Sequence, residues 1–422
     1  MGFTDWLLAR RLAILGLHSF SWCSMSSPLF YAALAAVVAG LTTSLLVPLV
    51  IRIAHILGAI DRPGGRRQHS HTVPRLGGLA IVGGLATGVL TIIALRWSTW
   101  ASTFPREQVL AVLVGGFLVF TLGVVDDLFE ISATKKLAIE VVAASMLVLS
   151  GWSFRVLRVI GFGDIDLGLA GQALSVLFIV GVVNAINLID GLDGLAGGVV
   201  AIISSSFLVY SVLLHDPATM ILMAATTGAC LGFLRHNWAP ARIFMGDSGA
   251  LTLGFLLAGV SVQSFSKTQA LVAIFVPILA LGLPMMDTLL VMIVRFLKRP
   301  HSRLAERFLE MFHADRNHLH HVLAHLGASR SRIVWTIYVA VLLGCSSAIV
   351  VALLRDVRLG LAIVGLEFVV ILIVRQRGLA AHAREIAASQ LNRAGLPEIA
   401  PERVAAGELE AGQVQVSHGA SG

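Results

Sequence analysis

The chain has 422 residues, of which 57% are hydrophobic and only 13% charged, with a mean hydropathy of +0.86. Soluble domains carry about 25% charged residues, so this balance excludes a globular core and points to an all-α polytopic membrane protein. The formal net charge of +7 sits mostly in the connections between apolar stretches, and no nucleic-acid partner is expected. Three scattered cysteines, Cys23, Cys230 and Cys345, have no paired spacing, so neither a disulfide framework nor a zinc site follows from them.

Residues 1–28 precede the first apolar stretch. Arg10 and Arg11 are followed by Leu12–Leu17, which is short for a signal-peptide core; the segment reads as interfacial, or translation begins at Met25. About eleven spans follow, at 29–51, 77–96, 107–125, 136–152, 171–189, 195–214, 217–235, 249–266, 269–296, 332–354 and 357–375. Each approaches the ~20 residues that cross ~30 Å of hydrocarbon. With the 52–76 loop in the cytoplasm, more than two-thirds of the 31 Lys and Arg residues fall on the cytoplasmic side. The positive-inside rule then gives an N-terminus outside and a C-terminus inside. Among the outward connections, residues 153–168 alternate apolar residues with glycines and read as a small extracytoplasmic β-hairpin. The organisation expected is a segment 1–28, a transmembrane domain 29–376 with cytoplasmic loops, and a polar cytoplasmic tail 377–422. In the tail, a short helix near 379–394 is followed by a segment too polar to fold.

Polar clusters mark the cytoplasmic ends of these spans. Loop 60–78 carries Asp61, Arg66, Arg67, His69, His71 and Arg75 between two prolines and glycine pairs. Basic residues beside a membrane attract anionic lipid anyway, but this density in a rigid loop suits a phosphate held at the interface. The third span ends in Asp126-Asp127-Leu128-Phe129-Glu130, with Lys135 and Lys136 following. Adjacent carboxylates at a helix C-terminus oppose both the macrodipole and each other, which argues for a cation or a catalytic base. On the fifth span Asn184, Asn187 and Asp190 recur every three residues and share one helix face, with Asp193 beyond Gly191. The segment Asn237 to Gly249 places Asp247 where the eighth span opens, either as an N-cap or as a metal ligand. The loop before the tenth span holds His313, Asp315, Arg316, His318, His320 and His321, a set suited to a diphosphate and without the pattern of a zinc site.

Asp and Asn oxygens without Cys ligands favour a hard cation, Mg²⁺ with Mn²⁺ as a substitute. Beside Arg and His, such a cation points to phosphate-ester or diphosphate chemistry. The residues therefore describe a membrane-embedded, Mg²⁺-dependent phosphoryl-type transferase. A transporter would place its polar residues near the midplane of related halves, and a prenyl-diphosphate synthase would need a second Asp-rich run; neither matches.

Five ordered motifs carry a resemblance. They are Asp61-x-Pro63 through Gly77-Gly78, Asp126-Asp127, Asn184-x-x-Asn187-x-x-Asp190-Gly191-x-Asp193-Gly194, Phe244-Met245-Gly246-Asp247 and His318-x-His320-His321. Spanning roughly residues 30–330, they resemble the polyprenyl-phosphate N-acetylhexosamine-1-phosphate transferases, of glycosyltransferase family 4 type, a superfamily that includes the phospho-N-acetylmuramoyl-pentapeptide transferases. The lead-in Asp315-Arg316 is similar to that of the N-acetylglucosaminyl branch. The resemblance implies transfer of a sugar 1-phosphate from a UDP-N-acetylhexosamine to undecaprenyl phosphate, with release of UMP, at the cytoplasmic face of a bacterial inner membrane. It implies Asp247 and Asp190 as metal ligands, Asp126 or Asp127 as base or nucleophile, and Asp190 and Asp193 lining the nucleotide and metal site. It also implies Asn187, Asn237 and Phe244 near the donor, and Arg316, His318, His320 and His321 near the diphosphate or sugar. Arg66, Arg67, His69, Arg75 and Lys136 are then the phosphate contacts, and Asp61 is a further substrate-binding residue of the same loop. A second copy of the chain is left open as a partner. Two departures from the family pattern stand out, Glu130 where Asp is common and Glu140 where Gln is common.

Overall fold

The computed structural model describes residues 27–61, 72–96, 106–159, 163–268, 275–298 and 319–393. The first helices are α1 (Pro28–Leu57), α2 (Gly77–Leu95), α3 (Arg106–Phe129), α4 (Ala133–Leu149), α5 (Gly168–Ile189), α6 (Leu195–Leu213), α7 (Pro217–Asn237) and α8 (Gly246–Thr268). They are followed by α9 (Phe275–Ala280), α10 (Gly282–Lys298), α11 (Leu319–His325), α12 (Arg330–Leu354) and α13 (Val357–Arg393). Among the described residues nine helices are long and apolar enough to cross a membrane. The chain is thus an all-α polytopic membrane protein, as its composition requires.

Helix α8 forms the axis. Its apolar window is wholly buried, and it packs against α2, α3 and α5. Around that axis α1 lies along α7 and α2, and α6 lies along α7 and α12. In lipid there is no hydrophobic gain in pairing apolar helices, so close van der Waals approach must supply the association. Small residues provide it: a Cβ added at Gly228 or Gly232 of α7 would collide with the α1 backbone at Ala36 and Gly40. The outer faces are apolar and exposed, with Leu41, Leu45 and Leu49 on α1 and Leu361, Leu366 and Phe368 on α13, as a lipid-facing surface requires.

Three places depart from the sequence expectation. The stretch 269–296, read as one span, is divided at Leu281 into α9 and α10. Pro277 and Pro284 both fall in the first turn of their helices, where a missing N–H costs nothing, so the chain restarts a helix at each. The helix expected separately near 379–394 is instead the continuation of α13, unbroken to Arg393. The fourth span, placed at 136–152, is α4 at 133–149.

Two small sheets lie at opposite ends of the bundle. The ladder β1 (Ile60–Asp61) with β2 (Val73–Pro74) is antiparallel, pairing Ile60 with Pro74 and Asp61 with Val73. The hairpin expected over 153–168 is present as β3 (Val156–Val159) and β4 (Gly163–Asp166), antiparallel, with Val156 opposite Asp166. Ser266 near the end of α8 hydrogen-bonds the backbone of Ser153 beside that hairpin. The start of α8 meets the β1–β2 end, through Gly78 N–H donating to Met245 O at 2.8 Å.

Candidate active site

At the β1–β2 end, the C-termini of α1, α3, α5 and α7 meet the N-termini of α2, α4, α6 and α8. Gly246 opens α8 with φ +72°, and a Cβ there would strike Arg75 O and both Asp127 carboxylate oxygens. Only glycine adopts that backbone without cost, and it lets α3 and the start of α8 come into contact. Asp127 then accepts from Asp247 N–H at 2.9 Å and Ser248 N–H at 3.1 Å. A carboxylate from α3 thus satisfies two of the orphan amides at the α8 N-terminus. Asp247, read as a potential N-cap, is not one: it lies in the first turn of α8, and the capping oxygens belong to Asp127.

Asp126, one residue earlier, points elsewhere. Its Oδ1 accepts from Ile131 N–H at 2.5 Å and its Oδ2 from Lys136 Nζ at 2.5 Å. The same ammonium donates to Asp247 Oδ2 at 2.6 Å, and Asn187 Nδ2 reaches that oxygen at 3.4 Å. Lys136 therefore bridges carboxylates from α3 and α8. Asp190, the residue after α5, has its carboxyl pushed up to about 7 from an ordinary 3.8. Burial is the main cause and the charges of Asp247 and Asp127 add to it; a hydrogen bond from Gly246 N–H and the Arg75 charge oppose it.

Neighbouring loops are tied by the other motif residues. Asn237, buried, accepts from Gly194 N–H at 3.0 Å and donates to Ile243 O at 2.8 Å. Asp193 Oδ2 accepts from Ala241 N–H at 3.0 Å. Both side chains, expected near the nucleotide, brace the 190–194 turn against the 238–245 loop. Phe244 is held through its backbone, accepting from Gly77 N–H at 3.0 Å and donating to Pro74 O at 2.8 Å; its side chain is half-buried. Asp61 is buried in β1 at the foot of the basic loop, and half-buried Arg75 follows β2. Arg66, Arg67, His69, Arg316 and His318 lie outside the described residues, as do the side chains of His320 and His321 on α11.

The sequence marked Glu140 only as a departure from the family pattern, without a partner. Glu140, buried on α4, accepts from Asn184 Nδ2 at 2.5 Å. Its position one helical turn after Lys136 puts it on the site-facing side of α4. The Asn184–Glu140 pair gives a physical partner to the residue that departs from the family's Gln.

Asp126, Asp127, Asp190 and Asp247 outnumber the nearby cations Lys136 and Arg75. Among the described residues no three of His, Cys, Asp and Glu form a ready-made metal-ligand group, since Lys136 lies between Asp126 and Asp247. The donors at this junction are oxygens alone and carry surplus negative charge, which fits a hard divalent cation in kind.

The model of glycosyl transferase family 4 matches residues 109–265, the stretch from α3 through α8 that supplies this junction. A probable undecaprenyl-phosphate N-acetylglucosaminyl 1-phosphate transferase of Bacillus subtilis (strain 168) is 35% identical over 318 residues, covering 75% of this chain and 84% of its own length. The chain belongs to glycosyl transferase family 4. The resemblance carried by the five motifs is thereby borne out. A second relative, the decaprenyl-phosphate N-acetylglucosaminephosphotransferase of Mycobacterium tuberculosis (strain ATCC 25618 / H37Rv), is 34% identical over 347 residues, 76% of this chain and 83% of its own. A phospho-N-acetylmuramoyl-pentapeptide-transferase of Mycobacteroides abscessus is 32% identical over 289 residues, 58% of this chain and 79% of its own. Similarity to the N-acetylglucosaminyl relatives therefore extends over more of the chain.

Proposed function

We propose that this family 4 protein transfers N-acetylglucosamine 1-phosphate from UDP-N-acetylglucosamine to undecaprenyl phosphate at the cytoplasmic face of a bacterial membrane. The observation that carries the reading is the Lys136 ammonium shared by Asp126 and Asp247, with Asp127 holding the start of α8. The names of the relatives, which act on polyprenyl phosphates, support the acceptor.

An oxygen of the lipid phosphate attacks the sugar-bearing phosphorus of the donor. The new P–O bond joins the lipid phosphate to the sugar phosphate, and the bond to the UMP oxygen breaks. UMP leaves with the electron pair. Asp126 is placed to take the proton of the lipid phosphate or to orient it, and Lys136 to neutralise charge on the phosphates. Asp127, with both oxygens on backbone amides, fixes the position of Asp247. Asp247 and Asp190, with the Asn187 amide oxygen, would hold Mg²⁺. When bound, the ion supplies charge neutralisation on the diphosphate. The basic loop after β1 meets the lipid phosphate, and the histidine motif at the start of α11 meets the diphosphate or sugar.

The test is UMP release by purified protein given undecaprenyl phosphate, Mg²⁺ and, one at a time, UDP-N-acetylglucosamine, UDP-N-acetylgalactosamine and UDP-N-acetylmuramoyl-pentapeptide. Release that needs lipid and metal and is fastest with UDP-N-acetylglucosamine is expected. Release with the muramoyl donor alone would move the chain to the other branch, and none with any donor from folded protein would overturn the reading.

A further inference from the structure

A second buried charge pair lies away from the carboxylate junction. Asp287 on α10 and Arg375 on α13 are 4% and 6% exposed, and Arg375 Nη1 stands 3.8 Å from Asp287 Oδ1. Ionisable groups within apolar helices are costly and are kept where they serve a structure or a reaction. Among the described residues Arg375 Nη1 has no hydrogen-bond partner. What Asp287 Oδ1 does accept is the backbone N–H of Leu319, at 3.0 Å. Leu319 opens α11 and stands in the sequence between His318 and His320.

The last long helix grips the same short helix a second time. Gly378, one turn beyond Arg375, lies so close to α11 that a Cβ there would collide with the Val322 side chain and meet its carbonyl oxygen at 2.9 Å. Helix α11 has seven residues, too few to be stable alone in water. Besides the burial of Leu319 and Val322, a hydrogen bond at its first residue and a close contact a turn later hold it, from two helices beyond the family-matched 109–265 stretch.

We infer that Asp287 is the positioning residue for the start of α11, the helix that carries His320 and His321, with Arg375 as its buried counter-charge. The role rests on the reading of the protein as a sugar-phosphate transferase, but its first readout does not need that activity. Removing one partner alone leaves a buried charge unpaired and threatens folding, so the decisive variants remove both charges together. In Asp287→Leu with Arg375→Met the acceptor for Leu319 is lost. In Asp287→Asn with Arg375→Met a neutral amide oxygen remains in its place.

The experiment measures the rate of diethylpyrocarbonate modification of His318, His320 and His321 by mass spectrometry, alongside kcat and KM for the sugar-nucleotide donor. In the Leu/Met variant the modification rates change several-fold and kcat falls about 10²-fold, the loss that a small misplacement of a reacting group brings. In the Asn/Met variant both stay within a few-fold of wild type. A folded Leu/Met variant with wild-type histidine reactivity would overturn the inference. So would an Asn/Met variant as impaired as Leu/Met, including when Leu/Met itself does not fold. If the wild-type protein transfers no sugar phosphate, the histidine reactivities still decide the positioning role separately from the activity.

Discussion

Asp126 and Asp127 are neighbours in the chain with different partners. Asp127 is bound to two amides at the start of α8, whereas Asp126 meets a lysine and a loop amide. Replacing Asp127 by Ala removes a cap and leaves buried amides unpaired, at a cost of about 1–2 kcal/mol. The thermal midpoint of Asp127→Ala in detergent should fall accordingly, with Asp127→Asn, which keeps an acceptor oxygen, lying in between. Asp190 gives a pH dependence. Its carboxyl is raised from 3.8 to about 7, so the folded state holds its proton more tightly than the unfolded chain. The stability this provides is complete below about pH 4 and is lost as pH rises towards and through 7. Melting curves of metal-free protein between pH 5 and 8 should show that decline, and Asp190→Asn should flatten it. That Asp126, Asp127, Asp190 and Asp247 gather at one junction was legible in the sequence, because each stands at a span end on the same side. The division of labour between Asp126 and Asp127 was not: it depends on which of them faces α8. The partner of Glu140 was equally hidden, because Asn184 is on another helix.

Among the elements, the buried axis α8 and the glycine-lined contact of α1 with α7 determine where the span ends converge. Gly232 faces the α1 backbone at Gly40, while its neighbour Leu231 is 56% exposed on the lipid side. Gly232→Leu should push α1 from α7 and abolish a monodisperse, folded peak on size-exclusion chromatography, whereas Leu231→Ala should leave the profile unchanged. Most of the spans could be read from hydropathy alone, because ~20 apolar residues have few other uses. The interruption at Leu281 could not. Hydropathy runs straight through it, and only the placement of Pro277 and Pro284 in two first turns divides the stretch. The unbroken length of α13 was also missed, because its last turns are polar and owe their helicity to continuation from the apolar part.

At the scale of the whole molecule, the chemistry-bearing motifs occupy one end of the bundle and the β3–β4 hairpin the other. The positive-inside rule predicts that the motif end, with its excess of Lys and Arg, faces the cytoplasm. Ile165, in the hairpin, is 46% exposed, and Glu130, beyond α3, is exposed at the opposite end. In a chain with Cys23 replaced by Ser, a membrane-impermeant maleimide should label Ile165→Cys in intact cells, and Glu130→Cys only after the membrane is opened. Labelling in the reverse order would invert the topology and detach the site from any cytoplasmic donor. In the proposed reaction a lipid-borne acceptor and a water-borne donor meet at the membrane boundary where the carboxylates and Lys136 stand.

The most direct test compares polyprenyl-phosphate-dependent UMP release by the wild-type protein and by Asp247→Asn, both shown to be folded. The account predicts release by the wild type that requires lipid and divalent cation, and none by Asp247→Asn, whose amide cannot supply the charge at the head of α8. Wild-type turnover by Asp247→Asn would contradict it and place the reaction away from the Asp126–Lys136–Asp247 junction.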